Sequence, residues 1–385
     1  MAAGRVDPQA LSGAGAGSGS AGYSANINGL RGLCVALVFV FHAARSGLTP
    51  PAVGADWQRA LDWGVGAMAH GVEIFFMISG YVIVLSLRRH ASVRGFLVDR
   101  CLRILPLWVP MVLLIGLLWP WLGGRAQPSP GFLDWLGIVA ANALLLPPLL
   151  PLPLLHPASW SLTVEALFYA VAAAIATLAQ ARRLPAAVRG LAASVLVAAV
   201  VLLLPVALCF AVGVAVALAP CRALPASRWH GLATPALLAF LLLWRAVDAA
   251  GLETAATLPV LLQQGGGPAL VAALSVGGWA LACLCAPGSQ AMPLLRTRLL
   301  QRLGTISYSF YLWHLLVMFA AKRAVLRLWP DGAGQWPATL LFAAVSLALS
   351  WWLASLSWRW MEQAFGGWLR ARLGLLRPRA LALAP

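Results

Sequence analysis

Charge is what this chain has least of. Only 10% of its 385 residues are Asp, Glu, Lys or Arg, and 61% are hydrophobic, whereas a soluble domain runs nearer a quarter charged and half apolar. That shortage excludes an ordinary water-facing surface, and the apolar residues fall in blocks of about 17–25, the length that crosses a bilayer. Acidic residues are scarce and the net charge is +16. No basic stripe is interleaved with aromatics on a soluble element, so nucleic acid is excluded as a partner. The six cysteines (Cys34, Cys101, Cys209, Cys221, Cys283 and Cys285) form no CxxC or Cys/His spacing. No metal site is therefore expected, and all six read as small buried hydrophobes. There is no internal repeat, no basic start followed by an apolar stretch and a cleavage site, and no loop long enough to fold alone.

What is present is a succession of apolar segments. Residues 1–25 are Gly/Ala/Ser-rich and read as a disordered tail. Ten spans are expected at approximately 29–46, 69–88, 104–122, 160–180, 188–204, 205–219, 233–247, 269–287, 305–325 and 338–360, the division at Pro205 being the least marked. The fold class is therefore all-α, a polytopic membrane helix bundle. The apolar stretch 133–158 is left out. Its second half reads LLLPPLLPLPLLHP, and repeated Pro removes the donors a regular helix needs. It is expected to be a re-entrant or outer loop covering a site, because irregular backbone at membrane depth must be covered by protein or line a wet cavity.

Arginine placement supports this count. With both termini inside, the inner connections hold Arg88, Arg89, Arg94, Arg100, Arg103, Arg182, Arg183, Arg189, Arg222, Arg228, Arg296, Arg298 and Arg302, and the tail 366–385 adds Arg370, Arg372, Arg377 and Arg379. Outside lie Arg45, Arg59, Arg125, Arg245 and the group Lys322, Arg323, Arg327, the last of which breaks the positive-inside rule. Counting 133–158 as a span would put Arg182 and Arg183 outside.

Ionisable side chains within spans are costly and point to function. Arg31 and His42, in NINGLRGLCVALVFVFHAARSG, are eleven residues apart. That leaves them about 20° apart around a helix and about 16 Å apart along it, with Arg31 at the inner end and His42 near mid-depth. In HGVEIFFMISGYVIVLSLRR, Glu73 enters from the outside, while Ser79 and Gly80 sit mid-helix, where a small residue admits a neighbouring helix. Arg100 and Arg103, in RCLRILPLW, share a face and make a fork for phosphates. Ser161, Glu165 and Tyr169, in SWSLTVEALFYAV, form a polar stripe, as do Ser307, Tyr311 and His314 in ISYSFYLWH. Each stripe could equally be a structural network. Glu362 reads as a boundary charge.

These five motifs, in this order and over residues 26–362, resemble the acyltransferase-3 family, membrane O-acyltransferases that modify lipopolysaccharide, exopolysaccharide, peptidoglycan and other acceptors. The resemblance implies one membrane domain over 26–365 in a bacterial inner membrane. It implies an acyl group, acetyl above all, moved from cytosolic acyl-CoA to a hydroxyl of an envelope or exported glycan, or alternatively a macrolide. It carries donor binding to Arg31, Arg100 and Arg103 and catalysis to His42, with Glu165 and His314 matching motifs of less defined role. Glu73 stands where the family often has Asp. No cofactor is implied beyond acyl-CoA as co-substrate, and the partners are that donor, the acceptor and membrane lipid. No further domain is expected after the last span. His42 would act as general base on the acceptor hydroxyl. The competing readings are a multi-pass transporter of a small anionic or sugar-like substrate, which would be expected to show repeat symmetry between its halves, and a membrane sensor or scaffold.

Overall fold

A computed structural model describes residues 18–51, 54–122, 131–147, 149–220, 225, 227–252, 257–286 and 289–374. Most of the expected tail at 1–25, part of that at 366–385, and Cys221, Arg125, Arg222, Arg377 and Arg379 lie outside the described residues. Among the described residues every regular element is a helix. In order come α1 (Ser18–Ala44), α2 (Ala55–Met68), α3 (Gly71–Arg89), α4 (Val93–Leu122), α5 (Phe132–Ala143), α6 (Ser159–Gln180), α7 (Ala186–Leu203), α8 (Ala207–Leu218), α9 (Ala233–Val247), α10 (Leu258–Gln263), α11 (Gly267–Cys285), α12 (Arg298–Thr305), α13 (Ser307–Leu328), α14 (Trp336–Ser357) and α15 (Gly366–Arg372). Among the described residues, nine helices are long and apolar enough to cross a membrane.

Each expected span corresponds to a helix, with one difference. The segment expected at 205–219 is α8, only 12 residues long and below spanning length, because the chain breaks at Leu204 and Pro205 before it starts. Both ends of the described chain nevertheless meet at one end of the bundle. Residues Ala25–Arg31 of α1 and Asp99 of α4 line the same opening, and Arg370 of α15 bonds to Asp99 at 3.1 Å. Nine is an odd number, so ends on one side of a membrane would require one further passage, for which α8 is the candidate that the hydropathy pattern offers.

Glycine lets two helix pairs touch backbone to backbone. A Cβ at Gly80 of α3 would lie 2.1 Å from the carbonyl oxygen of Phe210, and one at Gly213 of α8 would lie 1.9 Å from that of Met77. Around Arg31, a Cβ at Gly32 would lie 2.2 Å from the Leu300 oxygen, and one at Gly304 would lie 1.9 Å from that of Asn28. The GLRG segment of α1 is thus seated directly on α12.

The stretch 133–158 begins as the short helix α5 and then runs irregularly, turning through Leu145 at φ 57°. Buried Asn142 organises it, donating to the carbonyls of Ile138 and Pro153 and accepting from the Leu155 amide. Trp108 of α4 donates to the Asn142 carbonyl, Thr163 of α6 donates to that of Pro147, and His156 reaches the Leu312 carbonyl of α13. The loop is fixed to three helices, and its buried polar groups are satisfied without regular structure.

Lys322 and Arg323 also find a physical account. Lys322 donates to the Ser46 carbonyl just past the end of α1, at 2.5 Å, where a cation meets the negative end of the helix dipole. Arg323 lies over the Phe319 ring. Of the cysteines, Cys34, Cys209, Cys283 and Cys285 are buried, but Cys101 is exposed. It follows inward-facing Arg100 on α4, and one residue turns about 100°.

Candidate functional site

Three adjacent cavities lie within the bundle. The first opens at the arginine-rich end and is lined largely by polar side chains, among them Asn28, Arg31, Arg89, His90, Asp99 and Arg100. It shares the lining residues Ile27, Arg31, Val82 and Arg100 with a central chamber of about 120 Å³. That chamber in turn shares Val72 and Tyr311 with a third cavity of about 140 Å³, which is lined by His42.

The central chamber gathers most of the residues expected from sequence. Arg31, Ser79, Arg100, Arg103, Ser161, Glu165, Tyr169, Ser307 and Tyr311 all line it. Arg31 donates to Ser307 at 2.8 Å. Glu165 accepts from Ser79 at 3.0 Å and from Tyr169 at 2.5 Å, which satisfies a carboxylate that would otherwise be costly at this depth. Arg100 donates to Ser86 at 3.0 Å and to Asp99 at 3.1 Å, and lies against the Phe96 and Tyr169 rings. Arg103 makes no hydrogen bond to any described residue, so its donors face the chamber unspent. Three guanidiniums and one carboxylate leave the chamber net positive. Such a lining suits an anion, and a planar guanidinium is matched to phosphate oxygens.

The third cavity is mostly apolar. Phe41, Trp160, Leu315 and the loop residues Pro157 and Ala158 surround His42, so the Pro-rich stretch does cover the histidine. The His42 ring packs against Phe41 and, 5.3 Å between centroids, against His314 of α13. Tyr311 stands in the wall between the two cavities, its hydroxyl bonded to Ser161 at 2.9 Å and to the Ala158 carbonyl at 3.2 Å.

Two expected residues lie elsewhere. Gly80 faces α8 and is a packing residue. Glu73 lies outside these cavities, 3.5 Å from His70, whose other ring nitrogen lies 3.2 Å from Asp248 just past α9. Sequence reading did not single out His70, Ser86, Asp99 or His156, because each takes its meaning from a partner distant in the chain. Glu362 is more than a boundary charge, for Ser309 donates to it at 2.5 Å. A π-helical turn over Trp358–Phe365 brings it there.

The fold is a polytopic helical bundle with three arginines and a histidine lining adjacent internal cavities. Residues 24–355 match the family model Acyl_transf_3, described as an acyltransferase domain, and the chain belongs to that family. It is an acyltransferase, transferring groups other than amino-acyl groups, in a multi-pass membrane protein. A search of curated proteins and a search of solved structures each returned no match.

Proposed function

We propose that this protein moves an acyl group, acetyl above all, from cytosolic acyl-CoA to a hydroxyl of an envelope or exported glycan, and that it does so in the bacterial inner membrane. The observation that carries this reading is the succession of adjacent cavities, with guanidiniums lining the first two and an imidazole lining the third. The phosphates of the donor rest on Arg100, Arg103 and Arg31. The narrow pantetheine arm follows α1 past Tyr311, and eleven residues of helix, about 16 Å, separate Arg31 from His42. His42 takes the proton of the acceptor hydroxyl as it attacks the thioester carbonyl. The apolar walls keep water from the thioester.

Purified protein in detergent, given acetyl-CoA and envelope glycan from a deletion strain, should release free CoA thiol and return O-acetyl groups to the glycan, read by mass spectrometry. A protein that carries radiolabelled solute across vesicles without consuming acetyl-CoA would be a transporter, and the proposal would fail.

A further inference from the structure

Behind His42 stands a second imidazole whose hydrogen bonding is half fixed. His314 is 1% exposed. Its Nδ1 donates to the Tyr311 carbonyl, one turn back, at 2.7 Å. A carbonyl only accepts, so Nδ1 carries the proton of the neutral ring and Nε2 is a bare lone pair. That Nε2 is buried and has no hydrogen-bond partner among the described residues. A buried acceptor left empty is costly and calls for a reason. The nearest imidazole with spare hydrogen-bonding capacity is that of His42.

Other neighbours do not serve. His156 is fully engaged, its Nε2–H donating to the Leu312 carbonyl at 2.9 Å and its Nδ1 accepting from the Ala158 amide at 3.1 Å. Glu165 lines the central chamber and not the cavity of His42, and it already accepts from Ser79 and Tyr169.

We propose that His314 is a positioning residue for His42: its bare Nε2 accepts the ring N–H of His42 and so keeps the other His42 nitrogen deprotonated and turned toward the acceptor. The proposal rests on the reading of His42 as the base. In the transfer, the acceptor oxygen bonds to the thioester carbonyl carbon while its proton passes to that His42 nitrogen. The carbon–sulfur bond breaks, and the departing thiolate takes the proton from His42, leaving an ester and a free CoA thiol. His314 is not protonated at any point. It fixes the tautomer, the part played by a carboxylate in a Ser–His–Asp site, without bringing negative charge into apolar surroundings. The two rings are tilted by 46°, and a rotation of the half-buried His42 ring closes the bond. Catalytic hydrogen bonds are often slack in unliganded sites.

The test uses membranes of a deletion strain restored with wild type, His42→Ala, His314→Phe or His314→Gln. Thiol release from acetyl-CoA is followed against pH, with the unrestored strain as background. His314→Phe fills the space but cannot accept, and should lose on the order of 10²-fold or more in kcat, with KM for acetyl-CoA unchanged. His314→Gln offers a carbonyl oxygen to the same N–H. It should stay within about tenfold of wild type, with the acid limb of its pH profile unmoved. A Gln variant that accumulates and binds donor normally yet turns over like the Phe variant would show that His314 itself carries a proton, and the proposal would be wrong. Near-wild-type turnover in His314→Phe would reduce His314 to packing. Should the Phe variant fail to accumulate, the Gln variant decides alone. Full activity in His42→Ala would overturn the reading of the base, and this role with it.

Discussion

Arg100 donates to Ser86 and Asp99 and lies across two aromatic rings, whereas Arg103, one turn further along α4, faces the chamber with no hydrogen bond to a described residue. The two should therefore respond differently to substitution. Arg103→Ala should raise the KM for acyl-CoA and leave stability nearly unchanged. Arg100→Ala should raise KM too, but it also removes a partner from buried Ser86 and from half-buried Asp99, which keeps its bond to Arg370, and should cost about 1–3 kcal/mol of stability. Lys should rescue either position only in part, since an ammonium cannot bind bidentately. Thiol-release kinetics and thermal unfolding in detergent separate the two effects, and equal, unchanged KM values would remove both residues from donor binding. At His42, replacement by Ala or Gln should leave acyl-CoA binding intact and lower turnover by about 10²–10⁴-fold, read in the same assay. The site was largely legible in the sequence at this scale. Ser161, Glu165 and Tyr169 at four-residue spacing do face one chamber, while Arg31 and His42 line different cavities separated by the central chamber's wall at Tyr311. Asp99, Ser86 and His156 were not legible, because their partners lie elsewhere in the fold.

The helices position these side chains through backbone contact as much as through side-chain packing. Gly32 seats α1 against α12, and an added Cβ would lie 2.2 Å from the Leu300 oxygen. Gly32→Ala should force the two helices apart, cost about 1–3 kcal/mol and displace Arg31 from Ser307. Gly190 on α7 has open space around it. Gly190→Ala should be neutral or stabilise by up to about 1 kcal/mol. Unfolding midpoints in one detergent would compare them, and equal effects would dismiss the close approach. The Pro-rich loop makes a second case. Burial holds the His156 imidazole below its ordinary value, and its two bonds suit the neutral ring. Once undocked, the ring titrates near the ordinary value of about 6.5. The contribution to docking is therefore complete above that pH and declines as pH falls below it. The protection factors of the Leu155 and Ala158 amides, observed exchange corrected for the intrinsic rate at each pH, should fall below about pH 6 in wild type, and His156→Gln should flatten that dependence. Composition placed this loop correctly as a cover, since repeated Pro forbids a regular helix. The fixings through Asn142 and Thr163 were beyond reach, being bonds to backbone carbonyls that no pattern marks.

Among the described residues the bundle has nine helices of spanning length and two apolar helices of 12 residues, α5 and α8. Hydropathy alone marked the nine, but not that the α8 segment would be so short, because its close fit to α3 through Gly80 and Gly213 depends on tertiary contact. The shared opening of α1 and α4, joined to α15 through Arg370 and Asp99, puts both ends of the described chain on one side. A cysteine introduced at position 182 of an otherwise cysteine-free variant should accordingly be labelled only from the cytoplasm, and labelling from outside would overturn the ten-passage topology. The wall formed by Tyr311 carries a further consequence. A bilayer that stores an electrochemical gradient cannot hold a continuous thread of water, yet here a polar vestibule leads inward toward a cavity beneath the opposite surface. In the proposed enzyme Tyr311, tied to Ser161 and Ala158, would insulate that route electrically. Vesicles containing Tyr311→Ala should dissipate an imposed pH gradient faster than those containing wild type or Tyr311→Phe, which keeps the ring in place. The enzyme would then be a conductor for one passenger alone, a thioester on a flexible arm, while remaining closed to the protons that drive the cell.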